Sequence, residues 1–215
     1  MRVPLVNGLE GIQVKTVEDR RVRRSKRAIR SAFIALVLER GFNAITIEDI
    51  INAADLSRAT FYTHYRDKDG LLSDVVADLA DERNRVLPAV EEAKPLGFSG
   101  LPVKYLFEHA GRERDAYRVI LRGEGNGRAL RELREFLITQ AEELFEERAT
   151  RAGVTPRLPT SFVARAWAGE IIGILTWWVD EDAPYTDQEL TEFLRELAIN
   201  GRVWASGLDP QPNSL

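Results

Sequence analysis

Residues 46–65 read TIEDIINAADLSRATFYTHY, and they narrow the fold more than any other stretch of the chain. Thr46 is a natural N-cap, and Glu48 and Asp49 follow in the first turn, where a helix dipole favours acids. Ile47, Ile50, Ile51 and Ala54 recur at helical spacing. Asp55 ends the helix at a position that must tolerate a left-handed backbone, as Asp does more readily than most residues. Leu56 anchors the turn, and Ser57 caps a second helix over 58–65. Two short helices joined by a tight turn, with Ile50, Leu56, Phe61 and Tyr65 as apolar pins, form a helix-turn-helix.

The remaining sequence predicts helix throughout. One helix begins near Val22, buries Ile29, Ala32, Phe33, Leu36 and Val37, and stops at Gly41. Asp67 caps a fourth helix carrying Leu71, Leu72, Val75, Val76 and Leu79 inward and ending by Pro88. A Pro- and Gly-rich bend over 91–100 follows, then helices over 101–110 and 113–121. A flexible break at 123–127 precedes a long amphipathic helix over 128–152, with Leu130, Leu133, Leu137, Ala141, Leu144 and Phe145 inside. Pro159 opens another helix to about Asp180. Thr186 and Glu189 form a capping-box pair before the last helix, whose stripe is Leu190, Phe193, Leu194, Leu197 and Trp204. No strand and no internal repeat is expected. The expected fold class is all-α: a three-helix head and a larger helical body, about nine helices in all. The expected division is a mobile arm over 1–19, a head over 20–66, a connecting helix over 67–86, a body over 87–208 and a tail over 209–215.

The second helix of the motif exposes Arg58, Ala59, Thr60, Tyr62, Thr63 and His64. A major groove about 12 Å wide admits such a helix, and small side chains permit close approach. Arg58 suits a guanine edge, while Ala59 and the Thr60 methyl suit thymine methyl groups. Tyr62, His64 and Lys68 are placed for phosphates, which set register without reading sequence. Thr46 and Ser57, at the two caps, belong to the same face. Arg23, Arg24 and Arg27 lie in a basic run with Arg20, Arg21, Lys26 and Arg30. Positive charge there opposes the helix dipole, so helix stability does not explain it and phosphate contact does.

Charge supports the division. The chain carries a net −4, yet residues 20–68 hold eleven Lys or Arg against five Asp or Glu, leaving ten excess negative charges elsewhere. A basic quarter on an acidic body is the electrostatic outline of a DNA reader. The absence of cysteine removes disulfides, thiolate metal sites and a cysteine nucleophile. His64 and His109 do not make a metal centre, and no metal or cofactor is expected. The Gly123-Glu-Gly-Asn-Gly127 run lacks the preceding strand and following Lys-Ser/Thr of a phosphate loop, so it reads as a helix connector. Residues 1–19 lack a signal-peptide pattern, and 162–179, interrupted by Arg165 and Glu170, reads as too short and too charged to cross a membrane. A cytoplasmic location without membrane association is the expectation.

Residues 23–76 resemble the DNA-binding domain of the TetR family of bacterial transcription regulators. The resemblance rests on Thr46, Ile50, Ala54, Leu56, Ser57, Phe61, Tyr62, His64, Tyr65, Lys68, Leu71 and Leu72. Two positions depart from the family pattern: Ile51 stands where a small Ala is usual, and Asp55 where the turn has Gly. Residues 168–185, AGEIIGILTWWVDEDAPY, resemble the penultimate helix of a subgroup with a Trp pair and a Pro-Tyr. The resemblance implies a homodimer built by the last two helices, acting as a repressor on a pseudo-palindromic operator in double-stranded DNA, with a small-molecule effector bound in the body.

The residues agree with such an interface. Gly169 and Gly173 allow close helix approach, and Ile172, Leu175 and Trp178 make the helix apolar over much of its circumference. With Phe162, Ala166, Leu190, Phe193, Leu194, Leu197 and Trp204 they form the expected dimer surface. Tyr105, Phe107, His109, Tyr117, Phe136, Trp167 and Trp177 are the candidate lining of an effector cavity, against ordinary core packing for each one singly. Two other classes stay open at this point: an enzyme with a helical body, although no catalytic residue can be named, and a dimeric interaction protein whose head does not regulate transcription.

Overall fold

The computed structural model describes residues 20–86 and 101–205. The expected arm over 1–19, the bend over 91–100 and the tail over 209–215 lie outside the described residues. Among the described residues there are nine α-helices, one 3-10 turn and no strand. In chain order they are α1 (Arg20–Arg40), a 3-10 turn (Phe42–Ala44), α2 (Ile47–Ala53), α3 (Arg58–His64) and α4 (Lys68–Val86). Then follow α5 (Leu101–Arg112), α6 (Arg114–Leu121), α7 (Arg128–Ala152), α8 (Thr160–Asp180) and α9 (Asp187–Ala205).

The local chemistry explains the boundaries. Gly41, at φ 81°, ends α1 in a backbone region open mainly to glycine. Asp55 sits at φ 53°, the left-handed turn residue that the sequence called for. Asp67 Oδ1 accepts from Gly70 N–H at 2.7 Å and caps α4. Thr186 and Glu189 close a reciprocal capping box at α9, with Thr186 N–H donating to Glu189 Oε2 at 2.8 Å and Glu189 N–H to Thr186 Oγ1 at 3.2 Å. The kink at Gly201 (φ 82°) within α9 was not foreseen.

α1 packs on α2 and α3 through Ile29, Phe33, Leu36 and Val37, which meet Ile50, Ile51 and Phe61 in the head. Ile51, larger than the family's usual residue, is 4% exposed and fills the core. The body centres on α7 against α8, with α6 on α8 and α9 on α5. α1 also lies on α6, and α4 on α7, so buried side chains of head and body form a single cluster.

An arginine row on α6 holds the end of α8. Arg114 Nη2 donates to the Trp178 carbonyl at 2.5 Å, Arg118 Nη2 to the Val179 carbonyl at 2.9 Å, and Arg122 Nε to Asp180 at 2.6 Å. Cations at a helix C-terminus satisfy its last carbonyls and oppose its negative dipole end. With 21 residues and a best-window mean hydropathy of 1.2, α8 has the length and composition of a membrane span, which corrects the expectation that it is too short and charged. It is instead a core helix on one side, with Ala164, Ala168, Ile171 and Leu175 fully buried.

Candidate nucleic-acid interface

Both short helices of the motif are capped by their own sequence. Thr46 Oγ1 accepts from Asp49 N–H at 3.1 Å, while Thr46 N–H and Oγ1 donate to Asp49 Oδ2 at 2.8 and 2.6 Å. The hydroxyl bond first, then the backbone bond, hold the Asp49 carboxyl below its ordinary range. Ser57 Oγ accepts from Thr60 N–H at 3.2 Å and lies 2.9 Å from Thr60 Oγ1. Thr63 Oγ1 donates to the Ala59 carbonyl at 2.9 Å. The hydroxyls of Ser57, Thr60 and Thr63 are therefore already engaged within the motif.

Phe61 is fully buried and Tyr65 is 5% exposed, and together they fix α3 on the head. Tyr65 Oη donates to Asp74 Oδ2 at 2.7 Å. Burial, and then this bond, push the phenol well above its ordinary range and keep it a donor. The opposite side of α3 faces out: Arg58, Ala59, Tyr62 and Thr63 are exposed and His64 is half-buried. Arg58 is braced on two sides. Its Nη1 lies 3.5 Å from Glu48 Oε2, and its guanidinium lies 5.8 Å from the Tyr62 ring centroid. Both partners of the ion pair are more than half exposed, so water screens it and Arg58 can turn to a base. The sequence reading places Glu48 in the first turn of its helix and not beside Arg58.

On α1, Arg20, Arg23, Arg24 and Arg27 are exposed. Two other cations of the expected set serve the fold instead. Lys68 Nζ donates to the Phe42 and Ile45 carbonyls at 2.8 and 2.5 Å and lies 4.7 Å from the Phe42 ring centroid, so it is turned into the head and is not free for phosphate. Arg30 turns to the body, 3.1 Å from Glu113 and 3.8 Å from Asp78. Neither role shows in the sequence, because both partners are backbone atoms or residues distant in the chain.

In the body the Trp pair departs from its expected places. Trp178, expected at the dimer surface, is 5% exposed; its ring lies 5.5 Å from Phe107 and its Nε1 donates to the Tyr185 carbonyl at 2.7 Å. Trp177, expected in a cavity, is 37% exposed and stacks on Tyr185, which meets Phe193 edge-on. Ile172, Leu175, Leu190 and Leu194 are likewise buried within the protomer rather than presented to a partner, because α8 and α9 turn them onto α7, α6 and α5. Phe162, Ala166, Gly169, Gly173 and Phe193 remain outside, and Leu197 is half-buried. The side chain of Trp204 lies outside the described residues.

Of the candidate cavity residues, Phe107, His109 and Tyr117 are buried together; His109 Nδ1 is 3.2 Å from Tyr117 Oη. Tyr105, Phe136 and Trp167 are half-buried. A cleft of about 440 Å³ does open between α5 and α9, but its lining is polar: Lys104, Glu108, Asp187, Gln188, Thr191 and Glu192. None of the expected aromatic residues borders it. No cluster of three or more metal-ligating side chains occurs among the described residues.

A capped, externally presented recognition helix beside a basic α1, joined to a larger helical body, defines a helix-turn-helix DNA-binding protein. Residues 29–75 match the model of bacterial regulatory proteins of the tetR family, and residues 103–200 match that of a transcriptional regulator C-terminal region. The chain belongs to the tetR family of bacterial regulatory proteins. An uncharacterized HTH-type transcriptional regulator of Bacillus subtilis (strain 168), YxbF, is 41% identical over 59 residues, a match spanning 27% of this chain and only 16% of that protein. Among solved structures, a TetR-family transcriptional regulator from Syntrophomonas wolfei superposes with a TM-score of 0.75 at 19% identity, covering 88% of this chain and 99% of that one. The fatty acid degradation regulator FadR from Bacillus halodurans has a TM-score of 0.68 at 19% identity, covering 82% and 98%. FadR from Bacillus subtilis, in complex with stearoyl-CoA, has a TM-score of 0.66 at 17% identity, again covering 82% and 98%. Identities this low establish a shared fold.

Proposed function

We propose that the protein is a ligand-responsive repressor of transcription that binds a pseudo-palindromic operator as a homodimer in the cytoplasm. The observation that carries the DNA-binding reading is the outward face of α3. Arg58, Ala59 and the Thr60 methyl are set to read bases, Tyr62 and His64 to touch the backbone, and Arg23, Arg24 and Arg27 to add phosphate contacts from α1. In this reading residues 20–66 are the reading head, α4 is the connecting lever, and the helices from α5 onward are the regulatory and dimerising body. No enzymatic step is assigned to it.

Dimerisation is supported by an apolar stripe that no described residue of the protomer covers. Phe162, Ala166, Gly169, Gly173 and Trp177 follow one another at helical spacing on α8, and Phe193 on α9 continues the patch through Tyr185. A two-fold partner seated there would set two α3 helices about 34–36 Å apart, one turn of DNA. Effector control is supported by the stearoyl-CoA held by the structurally similar Bacillus subtilis FadR. A coupling of about 1–3 kcal/mol between body and head would change operator affinity about 5- to 150-fold.

Selection of operators from random duplex DNA with the purified protein tests the reading. We expect enrichment of a two-fold symmetric site that maps upstream of genes in the source genome. Recovery of no preferred sequence at moderate salt would overturn it.

A further inference from the structure

We propose that the glycine-rich loop at 123–127 is the body's clasp on the DNA-binding head, and that Glu124 within it is a positioning residue for DNA binding. The proposal rests on the regulatory reading above. The loop resembles a phosphate-binding loop only in composition, and the structure gives it a different task.

The loop is rigid. Gly123, Gly125, Asn126 and Gly127 all have positive φ, between 57° and 73°. Gly127 N–H closes on the Gly123 carbonyl at 2.8 Å, and Arg128 N–H on the Gly125 carbonyl at 3.2 Å. The tip enters the head. Gly125 is buried, and a Cβ built on it would stand 2.6 Å from Leu72 Cδ2 on α4 and 3.7 Å from the Phe42 ring. A side chain there would have to push the Leu72 methyl aside, and the positive φ itself favours glycine.

Glu124 reaches past the tip and accepts a hydrogen bond from Phe42 N–H at 2.9 Å. Phe42 begins the short link from α1 to α2, and the carbonyls of Phe42 and Ile45 are held from the other side by Lys68. That link ends at Thr46, the N-cap of α2. The carboxylate of the body thus fixes the backbone on which the helix-turn-helix starts. A second clasp stands at the other end of α6, where Glu113 holds Arg30 at 3.1 Å. Each bond joins residues at nearly the same separation in sequence, 83 and 82, so the C-terminal half of α1 runs alongside α6 in the same direction and is held at its middle and just beyond its end. Charge-assisted bonds of this kind fix direction as well as distance. Any movement of α6 is therefore handed to the head through two points, and a fixed head is what lets two copies meet successive grooves without an added ordering cost.

Three variants, Glu124→Ala, Glu124→Asp and Glu124→Gln, test the proposal, with DNA affinity, base preference and amide exchange as readouts. The probe is the operator recovered by wild-type selection. Glu124→Ala and the shortened Glu124→Asp are expected to weaken operator binding about tenfold, the change that about 1.4 kcal/mol produces. Base preferences should stay as in wild type, because α3 is untouched. Phe42 N–H should exchange faster in both. Glu124→Gln, whose amide oxygen can still accept, should bind as wild type does. Wild-type affinity and Phe42 protection in Glu124→Ala and Glu124→Asp would overturn the clasp, as would a loss of base preference matching the loss of affinity. If wild-type protein selects no operator, the regulatory reading falls, and Phe42 exchange still decides whether the clasp exists.

Discussion

Lys68 and Phe42 meet twice: the ammonium lies 4.7 Å from the ring centroid and donates to the same residue's carbonyl at 2.8 Å. A cation at the start of α4 that lies over a ring and binds two carbonyls of the head braces the head against α4. Lys68→Met is accordingly expected to destabilise the protein by about 1.5–3 kcal/mol, the range for hydrogen bonds to charged groups. Denaturant unfolding measures this. The log–log salt dependence of DNA binding should keep its slope, whereas Arg27→Ala should reduce it by about 0.9 per half-site, about 1.8 for the dimer. Equal loss of slope in both variants would return Lys68 to the phosphate contacts.

Arg58→Ala should relax preference at one base pair in each half-site and cost about 1–3 kcal/mol on the selected operator. Repeating the operator selection with the variant gives the answer. Unchanged preference at every position would show that Arg58 does not read a base.

The adjacent tryptophans should behave oppositely. Trp178 is packed on Phe107 inside the protomer, so Trp178→Ala is expected to cost about 3–5 kcal/mol of stability. Trp177 belongs to the uncovered stripe, so Trp177→Glu together with Phe193→Glu should give a folded monomer. Sedimentation velocity and thermal unfolding separate the two outcomes, and a persistent dimer in the double variant would place the interface elsewhere.

Asp55 holds φ 53° in the turn of the motif, which an L-residue does at a cost that glycine avoids. Asp55→Gly should therefore stabilise the head by about 1 kcal/mol, and Asp55→Val should destabilise it by more. Both are read from shifts in the unfolding midpoint, and a destabilised glycine variant would point to a tie made by the Asp side chain.

Asp78 contributes an acid-side dependence. Burial first, and then the neighbouring Asp74, raise its carboxyl above the ordinary value, with Arg30 opposing. The folded state thus binds the proton more tightly than the unfolded chain. Its ionisation weakens folding as pH rises through the interval from the unfolded to the raised folded value, and below that interval the penalty is gone. Asp78→Asn should be more stable than wild type at pH 7, and the difference should vanish as pH falls below the ordinary carboxylate range. A pH series of melting curves decides it.

The head was far more legible in the sequence than the body's surfaces. Thr46, Asp55 and Ser57 act through neighbours three or four residues away, and Phe61 and Tyr65 through a period that the chain displays directly, so each could be read locally. Lys68 and Arg30 have basic side chains like those of Arg24 and Arg27, and only their folded partners, the Phe42 carbonyl and Glu113, tell them apart. The Trp pair failed for a related reason. α8 is apolar around most of its circumference, and periodicity cannot then say which side faces α7 and which faces out. The arginine row of α6 was hidden because its acceptors are the carbonyls of Trp178 and Val179, to which every residue type contributes alike.

The unbroken core from Phe33 to Tyr117 also bears on how such proteins can be recombined. A reading head with its own separate centre could be moved from one regulator to another by cutting at α4. Here the seam between α1 and α6 belongs to both parts, so a graft that stops at Val86 takes Glu113 from Arg30, leaving it Asp78 alone, and leaves the Phe42 amide without its acceptor. The transferable unit includes Glu113 and Glu124, and a change in what the protein reads is inherited together with α6.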